Sequence, residues 1–443
     1  MAENKQISYK RYANLFVKNR GKYIAIYNPL LPLGVSVLNK EAFYLLNLFQ
    51  KKMSFSDIYK IAKKKDTKVT KQILKPVINK FQEENLIHTL EQRKKVHDTY
   101  NRLVIWIHLT NQCNLRCKYC FVKKNSKTIS KSNIEKSIRT IYEYVKREKI
   151  SYIQFKFSGG EPLLKFDLIV RFIRLTNIIF KNTSYDFVIL TNGTLLDNSI
   201  INQIKKLKLQ VAVSLDGTQK AHDKVRGRGS FDKAIKGIFK IQKLSIPFNI
   251  TVTINKLNVK NLPKLTSYLL KKRIPFVYNF YRKPIDTKID LTCNSDVLIK
   301  YIKKAYEEIE SNLPKPCIMN SLLDRVYFTK AHNLPCGLGH NYIVIKPDGN
   351  FCFCHMLLDS KGGQIPSNNL NLLQKENKFI KSTKTKIKNY CQNCRWRYIC
   401  AGGCPLSEIK DKRPQYCKVY KALIPEVIKL EAKRIIKYGF EDK

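Results

Sequence analysis

Short apolar stretches alternate with helical hydrophobic patterns over the middle of the chain. The predicted strands are Leu103–Leu109, Tyr152–Phe157, Phe187–Leu190, Val211–Leu215, Phe248–Ile254 and Phe276–Phe280. The helical patterns between them are Lys131–Lys146, Leu168–Ile179, Ser199–Leu207, Phe231–Leu244 and Leu262–Lys271. Because strands alternating with helices build a parallel sheet through right-handed crossovers, we predict an α/β fold. Six such units suffice for a partial (β/α)6 barrel of the TIM type over residues 100–310.

A smaller module is predicted before the barrel, at residues 12–92. Its strands are expected at Asn14–Val17, Tyr23–Tyr27 and Val35–Leu38, and its helices at 39–50, from Ser54 or Ser56 onward, and at Lys71–Glu84. Asn39 is a suitable N-cap for the first of these helices. Three strands followed by three helices predict a winged-helix-like fold. A polar linker, Lys94–Asp98, would join this module to the barrel.

The strand and helix alternation fades after Cys336, where turns, glycines and cysteines dominate. A turn at Lys346–Asn350 predicts a hairpin between Tyr342–Ile345 and Phe351–Phe353. We therefore expect a cysteine-rich domain at residues 330–420. A last helical pattern, Ile424–Ile436, predicts a C-terminal helix within residues 421–443.

Composition and net charge exclude few classes of protein. The chain has 443 residues, of which 44% are hydrophobic, and 83 basic against 34 acidic residues give a net charge of +49. No apolar run is long enough to span a membrane and no secretory signal is seen, so a cytoplasmic protein is expected. A field this basic would attract nucleic acid, acidic peptides or anionic lipid. However, the lysines are spread along the whole chain, which favours a solvated basic surface.

The thirteen cysteines are more informative. In the reducing cytosol, clustered cysteines indicate metal ligands before disulfides. Cys113, Cys117 and Cys120 follow the first barrel strand with C-x3-C-x2-C spacing. A [4Fe–4S] cluster normally takes four thiolates, so three would leave one iron open for chemistry. A zinc ion lacking its fourth protein ligand is the alternative.

A second constellation lies in the C-terminal third. It comprises Cys336, Cys354, Cys391, Cys394, Cys400, Cys404 and Cys417. The C-x2-C and C-x3-C pairs within it, taken alone, would be typical of a zinc ribbon. Cys293 and Cys317 lie outside both constellations and are expected to be ordinary thiols.

The first constellation resembles the signature of the radical S-adenosylmethionine (SAM) superfamily, in which Tyr119 fills the aromatic position. The glycine-rich segment 158–162 resembles the family's motif for the methionine amino group, which implies cofactor contacts by Gly159, Gly160 and Glu161. The segments after the third and fourth strands resemble loops around SAM and make Asn192 and Ser214 candidates. Arg226 is a candidate for the SAM carboxylate, with a plain surface arginine as its alternative, and Asn255 is a further candidate near the adenosine.

The second constellation resembles the SPASM domain. The resemblance implies one auxiliary cluster on Cys391, Cys394, Cys400 and Cys417, and another on Cys336, Cys354 and Cys404. The chain would then carry three [4Fe–4S] clusters and bind SAM. Two auxiliary clusters have eight places for cysteine ligands. The seven cysteines fill seven of them, so the eighth ligand is undecided. Cys352 could fill that place, or the open iron could bind a substrate thiolate.

The N-terminal module resembles the RiPP recognition element, which binds the leader of a ribosomally made precursor peptide, and the whole chain resembles sactipeptide maturases of the subtilosin type. This implies a radical enzyme that forms a thioether from a cysteine sulfur to a Cα, with a precursor peptide and a flavodoxin or ferredoxin as partners. Carbon–carbon crosslinking, epimerisation and sulfatase-type cysteine oxidation are alternatives. No general base can be assigned. A nucleic-acid-binding iron–sulfur protein is a distant alternative, because no aromatic-interleaved basic strip is present.

Overall fold

We analysed a computed structural model of the chain. It describes residues 7–89, 101–284, 289–360, 364–365, 370, 381, 389–406, 409–410 and 413–441. The predicted linker at 94–98 lies outside these residues. None of the described helices combines the length and the apolar character that crossing a membrane requires.

The N-terminal module consists of six short strands and three helices. They are β1 (Ser8–Arg11), β2 (Phe16–Arg20), β3 (Tyr23–Tyr27), β4 (Ser36–Asn39), α1 (Lys40–Leu48), β5 (Met53–Ser54), α2 (Phe55–Lys65), α3 (Lys71–Glu83) and β6 (Ile87–Thr89). The strands form two three-stranded sheets, in the orders β2-β3-β4 and β5-β1-β6. Asn39 caps α1, and Ser54 and Asp57 form a capping box on α2. The three strands and three helices that the sequence predicts are therefore present, together with three further short strands.

The barrel has the six predicted strands, each followed by helical structure. The strands are β7 (Arg102–His108), β8 (Tyr152–Ser158), β9 (Ser184–Thr191), β10 (Gln210–Ser214), β11 (Phe248–Ile254) and β12 (Phe276–Phe280). The helices are α4 (Lys131–Arg147), α5 (Phe166–Ile179), α6 (Asn198–Lys206), α7 (Gln219–Arg226), α8 (Ser230–Lys243), α9 (Leu262–Lys271) and α10 (Ser295–Ser311). All six strands pair in parallel in chain order. The predicted α/β partial barrel is confirmed.

The cysteine-rich region extends the barrel sheet, which the sequence does not predict. Its first strand, β13 (Tyr342–Ile345), pairs in parallel with β7, and the second, β14 (Phe351–Cys352), pairs with β13. The sheet therefore has eight strands, in the order β12-β11-β10-β9-β8-β7-β13-β14. The predicted hairpin is present, and it closes one edge of the barrel sheet. Edge pairing of this kind satisfies backbone groups on β7 that would otherwise be exposed.

The C-terminal helix begins earlier than its apolar pattern predicts. After a short helix, α11 (Arg397–Cys400), and a two-stranded ribbon, β15 (Ile409–Lys410) and β16 (Arg413–Pro414), the last long helix, α12, spans Cys417–Ile436. Its first turns are helical because Val419, Tyr420 and Leu423 are buried against the core. The helix therefore carries Cys417 at its first position.

The N-terminal module packs against the rest of the protein. The hydroxyl of Tyr27 donates a 2.9 Å hydrogen bond to the carbonyl of Phe328 and is completely buried. The ring of Phe16 lies 5.7 Å from that of Trp396, within the second cysteine constellation. The module therefore contacts the cysteine-rich domain directly.

Candidate active site and thiol groups

Residues 110–120, called here the cluster loop, follow β7 at the carboxyl end of the barrel. The loop is held by backbone hydrogen bonds from the neighbouring strand's segment 158–162, called here the glycine loop. Gly160 N–H donates to the carbonyl of Thr110 at 2.6 Å, and Glu161 N–H donates to that of Gln112 at 2.8 Å. On its other side, Lys118 N–H donates to the carbonyl of Val225 at 2.9 Å. The loop is thus fixed between β8 and α7.

The two glycines of the glycine loop are required by the close approach of these two backbones. A Cβ on Gly160 would lie 2.1 Å from the carbonyl oxygen of Gln112, and one on Gly159 would lie 2.5 Å from that of Thr110. Backbone atoms cannot move aside as a flexible side chain can, so neither position accepts a larger residue. The structure therefore places both glycines against the cluster loop, and their contact with SAM stays a prediction.

Cys113, Cys117 and Cys120 are all partly exposed on the cluster loop. Several N–H groups point at their sulfurs: Leu115 N–H at 3.4 Å and the Asn192 amide at 3.9 Å from Cys113, and Arg226 at 3.9 Å from Cys117. Burial raises the pKa of Cys117, and the charge of Arg226 opposes that rise. Donors aimed at sulfur stabilise a thiolate, which is the form that binds iron.

Glu161 is completely buried and connects the glycine loop to the end of β9. One carboxylate oxygen accepts hydrogen bonds from the Thr191 hydroxyl at 2.7 Å and Leu163 N–H at 3.1 Å, and the other accepts one from Asn192 N–H at 2.8 Å. Burial raises the pKa of Glu161 to about 7, against the effect of these donors. The described contacts give this side chain a role in positioning loops; a direct contact with SAM stays a prediction.

Arg226 is not a surface residue, because its side chain is only 7% exposed. Its Nε donates to Asp216 at 2.6 Å, and a terminal nitrogen contacts the hydroxyl of Tyr119. Asp216 also accepts from that hydroxyl at 2.6 Å and from Thr253 N–H at 2.9 Å. Asp216 lies in the segment after the fourth strand but was not predicted as a site residue. A contact between Arg226 and the SAM carboxylate stays a prediction. The structure adds that Arg226 forms a buried ion pair with Asp216 next to the cluster loop.

The other candidates around the site differ in their contacts. The Asn192 amide bridges from Asn114 at 2.9 Å to the sulfur of Cys113, so it does lie beside the cluster loop. Ser214 ends β10 and is partly exposed, and its hydroxyl makes no hydrogen bond within the described parts of the chain. Asn255 is completely buried in a turn, where its side chain binds the backbone of Thr253 and Leu257. Of these three residues, Asn192 and Ser214 are placed to reach a bound molecule, and Asn255 is not.

Four thiols of the second constellation surround one cavity. Cys391, Cys394, Cys400 and Cys417 line it together with Trp396 and Tyr420. Burial, together with the charges of the other three thiols, raises the pKa of Cys400 to about 12. A cavity lined by four mutually close thiols fits a group that takes four thiolates. We call these residues the second auxiliary group.

The remaining three, Cys336, Cys354 and Cys404, form the first auxiliary group. Burial raises the pKa of Cys336 and Cys354, and in each case the charge of Cys404 raises it further. Cys352 is placed differently: it packs with Val344 and Leu358. In a strand, residues two apart point to the same face, which would place Cys352 and Cys354 together. The strand β14 ends at Cys352, so this alternation does not extend to Cys354. Its predicted role as a fourth ligand gains no support from this position.

Two arginines near the first auxiliary group were also missed by sequence reasoning. Arg282 donates to Asp324 at 2.6 Å, and Asp324 also accepts from Phe280 N–H at 3.0 Å. The thiols of Cys336 and Cys404 raise the pKa of Arg325, whose side chain is partly buried. No local motif marks these residues, because their partners come from distant parts of the chain.

The loops of the two constellations meet through aromatic rings. Phe121 directly follows Cys120, and its ring lies 5.4 Å from that of His355, which directly follows Cys354. His355 in turn stacks on Trp106 at 4.4 Å. In the described ranges, no three His, Cys, Asp or Glu side chains converge on a position for a single metal ion. The evidence that these sites fit iron–sulfur clusters is therefore the grouping of the thiols and the N–H groups that point at their sulfurs.

Comparisons with known proteins agree with this arrangement. Residues 107–269 match the model of the Radical SAM superfamily. The chain is 25% identical to a cysteine-type anaerobic sulfatase-maturating enzyme of Clostridium perfringens over 356 residues, which covers 70% of this chain and 91% of that enzyme. It is 24% identical over its full length to the radical SAM cyclopropyl synthase TigE of Paramaledivibacter caminithermalis, again over the whole of that protein. A match to protein MJ0907 of Methanocaldococcus jannaschii, at 32% identity, spans 37% of this chain and 57% of that relative.

Solved structures show the same fold. The structure of anSMEcpe with bound AdoMet and a peptide, Cp18Cys, superposes with a TM-score of 0.62 at 20% identity, and the match covers 74% of this chain and 99% of that one. Streptococcus suis SuiB bound to S-adenosylmethionine superposes with a TM-score of 0.52 at 17% identity, over 89% of this chain and 95% of that one. The superfamily match over residues 107–269 shows that this chain contains a radical SAM domain, and over most of its length the chain is similar to the anaerobic sulfatase-maturating enzymes.

Proposed function

We propose that this enzyme is a peptide maturase that oxidatively modifies a ribosomally made precursor peptide. The observation that carries the proposal is the contact between the cluster loop and the segment that holds the first auxiliary group, through Phe121 and His355. A radical site at the barrel and an electron carrier in the cysteine-rich domain would then lie next to each other. One relative matures sulfatases by name, and the solved structures of anSMEcpe and SuiB include bound peptides, which supports a peptide or protein substrate.

In this proposal Cys113, Cys117 and Cys120 hold a [4Fe–4S] cluster whose fourth iron position takes SAM. When bound, the cluster and SAM supply a 5′-deoxyadenosyl radical that removes a substrate hydrogen atom. Asn192 and Arg226 donate to the thiolates, and Asp216 fixes Arg226 through a buried ion pair. The role of these side chains is to orient the loop and to hold its charge.

The first and second auxiliary groups would each hold a further [4Fe–4S] cluster. Removal of one hydrogen atom leaves a substrate radical, and closing a new bond with loss of a proton requires a second electron to leave. The first auxiliary group is the one in contact with the cluster-loop side of the barrel, so we assign that electron to it. The physiological reductant would be a flavodoxin or ferredoxin.

Among the oxidative outcomes we propose a thioether from a cysteine sulfur to a backbone Cα. Three thiols rather than four in the first auxiliary group leave a place for a substrate thiolate, and Cys352 packs elsewhere. Cyclopropane formation is a second candidate, because the full-length relative TigE carries that activity in its name. Both outcomes remove two hydrogens from the peptide, so the mass change alone does not distinguish them.

The N-terminal module would bind the leader of the precursor as an added strand. The order β2-β3-β4 leaves β2 and β4 as sheet edges, and β2 is exposed over Val17, Lys18 and Asn19. Main-chain pairing at an edge gives affinity, and basic side chains favour an acidic leader. Tyr27 and Phe16 of the module pack against the rest of the protein, so deleting the module would also disturb the enzyme. Leader binding is therefore better tested by removing the leader from the peptide.

The test is anaerobic co-expression with a candidate precursor peptide that carries a leader and a cysteine-containing core, followed by mass spectrometry. A loss of two hydrogens per modified site is expected, together with 5′-deoxyadenosine when purified enzyme receives dithionite and SAM. A leaderless peptide should be modified far less efficiently. Fragmentation then separates a thioether, which consumes a cysteine thiol, from a cyclopropane, which does not. Absence of 5′-deoxyadenosine, or zinc in place of iron at the cluster loop, would refute the assignment.

A further inference from the structure

Lys156 projects into the interior of the barrel from the middle of β8. Along this strand Ile153, Phe155 and Phe157 are completely buried in the main hydrophobic core, so the alternate residues Gln154 and Lys156 face the opposite side. In the sheet register Lys156 lies beside Trp106 of β7 and Val188 of β9. The lysine is therefore one step inside the barrel from Ser158, where the glycine loop begins.

The amine of Lys156 has no hydrogen bond or ion pair within the parts of the chain that the structure describes. Asp186 of β9 attracts the amine, but its Oδ2 accepts hydrogen bonds from Gln154 at 3.3 Å and Gln210 at 3.2 Å, and its buried Oδ1 has no hydrogen-bond partner in the described residues. Asp324 forms an ion pair with Arg282 at 2.6 Å. No carboxylate of the described residues lies within ion-pair distance of the amine, so the partly buried ammonium group has no salt bridge.

The surroundings of Lys156 carry more positive than negative charge. Burial lowers the pKa of Lys156, the cations Arg102 and Arg325 lower it further, and Asp186 opposes them. Buried unpaired charge is costly, and proteins retain it mainly where a ligand completes it. An anion that reaches this amine would pair with Lys156 and be attracted by both arginines.

We propose that Lys156 is an anion subsite that binds a carboxylate of the substrate peptide, on the modified residue or on its immediate neighbour. Lys156 precedes Ser158 by two residues, so the backbones of the two residues are about 7 Å apart along the strand, and on this spacing we place the bound carboxylate beside the reacting residue. This inference rests on the proposed function and deepens it. It predicts an acidic side chain, or a chain terminus, next to the modified residue.

The test measures binding to the reconstituted enzyme loaded with SAM, by calorimetry under anaerobic conditions. The probes are three synthetic 12-residue peptides of glycine, serine and cysteine: one with a central glutamate and a C-terminal amide, one with glutamine and the amide, and one with glutamine and a free C-terminus. Lys156→Met removes the charge, Lys156→Arg retains it, and Lys146→Met removes an exposed lysine of α4 as a matched control.

We expect wild-type and Lys146→Met enzymes to bind the glutamate peptide roughly tenfold or more tightly than the glutamine amide, as a charge-assisted hydrogen bond provides. Lys156→Met should abolish this difference, and Lys156→Arg should retain most of it. A preference for the free C-terminus instead identifies the terminal carboxylate as the source. Equal binding of all three peptides to wild type, including no binding, overturns the proposal, as does an unchanged preference in Lys156→Met. Failure of the proposed function shows separately, as absence of peptide modification in the mass spectrum.

Discussion

The buried ion pair between Asp216 and Arg226 provides the sharpest test of how the cluster loop is held. We consider Asp216→Asn, which keeps the size of the side chain and removes its charge. Asp216 receives three donors: Arg226 at 2.6 Å, the Tyr119 hydroxyl at 2.6 Å and Thr253 N–H at 2.9 Å. The amide of asparagine would turn an NH2 group toward at least one of them.

The size of the effect follows from burial. The side chains of Asp216 and Arg226 are 0% and 7% exposed, so solvent cannot compensate the guanidinium once its partner is neutral. Removing one partner of a buried pair costs about 3–5 kcal/mol, because an uncompensated charge stays inside. For a domain of the barrel's size this corresponds to a fall in Tm of roughly 10 °C. The Cys117 side of the loop, which Arg226 contacts, should also hold less iron.

The assay is thermal unfolding of the anaerobically reconstituted enzyme, with iron measured on the same samples. Glu148→Gln is the matched control, since its ion pair with Arg147 is 3.0 Å long but 45–46% exposed on both sides. Surface pairs contribute about 0–1 kcal/mol, so the control should change Tm by no more than about 2 °C. The double variant Asp216→Asn, Arg226→Met removes both charges and should recover part of the stability that the single variant loses.

A Tm for Asp216→Asn that equals that of the control would refute the reasoning, because it would mean that the guanidinium finds other compensation. A double variant less stable than the single one would refute it in another way. In that case Arg226 would stabilise the protein by contacts other than its pair with Asp216.

Three further results are expected. The folded-state pKa of Glu161, about 7, lies above its ordinary value of 4.5, so its contribution to stability is full below pH 4.5 and is lost as pH rises through 7. Relative to Glu161→Gln, the wild-type free energy of unfolding should thus fall by at most roughly 3 kcal/mol between pH 5 and 8, and parallel profiles would contradict this. Gly160→Ala should lower Tm and the iron content of the cluster loop, whereas Gly439→Ala, whose added methyl meets only a side-chain carbon at 3.7 Å, should not. Cys417→Ser should lose about four irons per chain by elemental analysis and Cys293→Ser none; equal iron in both would exclude Cys417 as a ligand.

Much of the fold could be predicted from the hydrophobic pattern. The six barrel strands and the helices between them occur within a few residues of their predicted positions, because each strand is bounded by turns and each helix has an apolar face at 3.6-residue spacing. The helices α7 and α10 were not predicted. The first lies in a polar segment with only His222, Val225 and Arg226 buried, so its pattern is short.

The site residues that belong to short sequence motifs could be predicted. Short cysteine spacing marked the cluster loop and the pairs Cys391–Cys394 and Cys400–Cys404, because ligands of one small group often lie close together along the chain. The assignment of the C-terminal cysteines to two auxiliary groups came from the resemblance to the SPASM domain. The pairing of Asp216 with Arg226, of Asp324 with Arg282, and the unpaired amine of Lys156 carry no such spacing. Their partners are set by which strands become neighbours.

What the sequence by itself determined, then, is most of the barrel's strands and helices and the thiols available for iron. Only the tertiary structure decided that β13 of the cysteine-rich hairpin joins β7 in parallel, that Cys352 packs with Val344 and Leu358, and that Asp216 forms an ion pair with Arg226. The physical reason is that strand pairing and burial act between residues hundreds of positions apart. A local pattern records which groups can be buried, but only packing determines which of them meet.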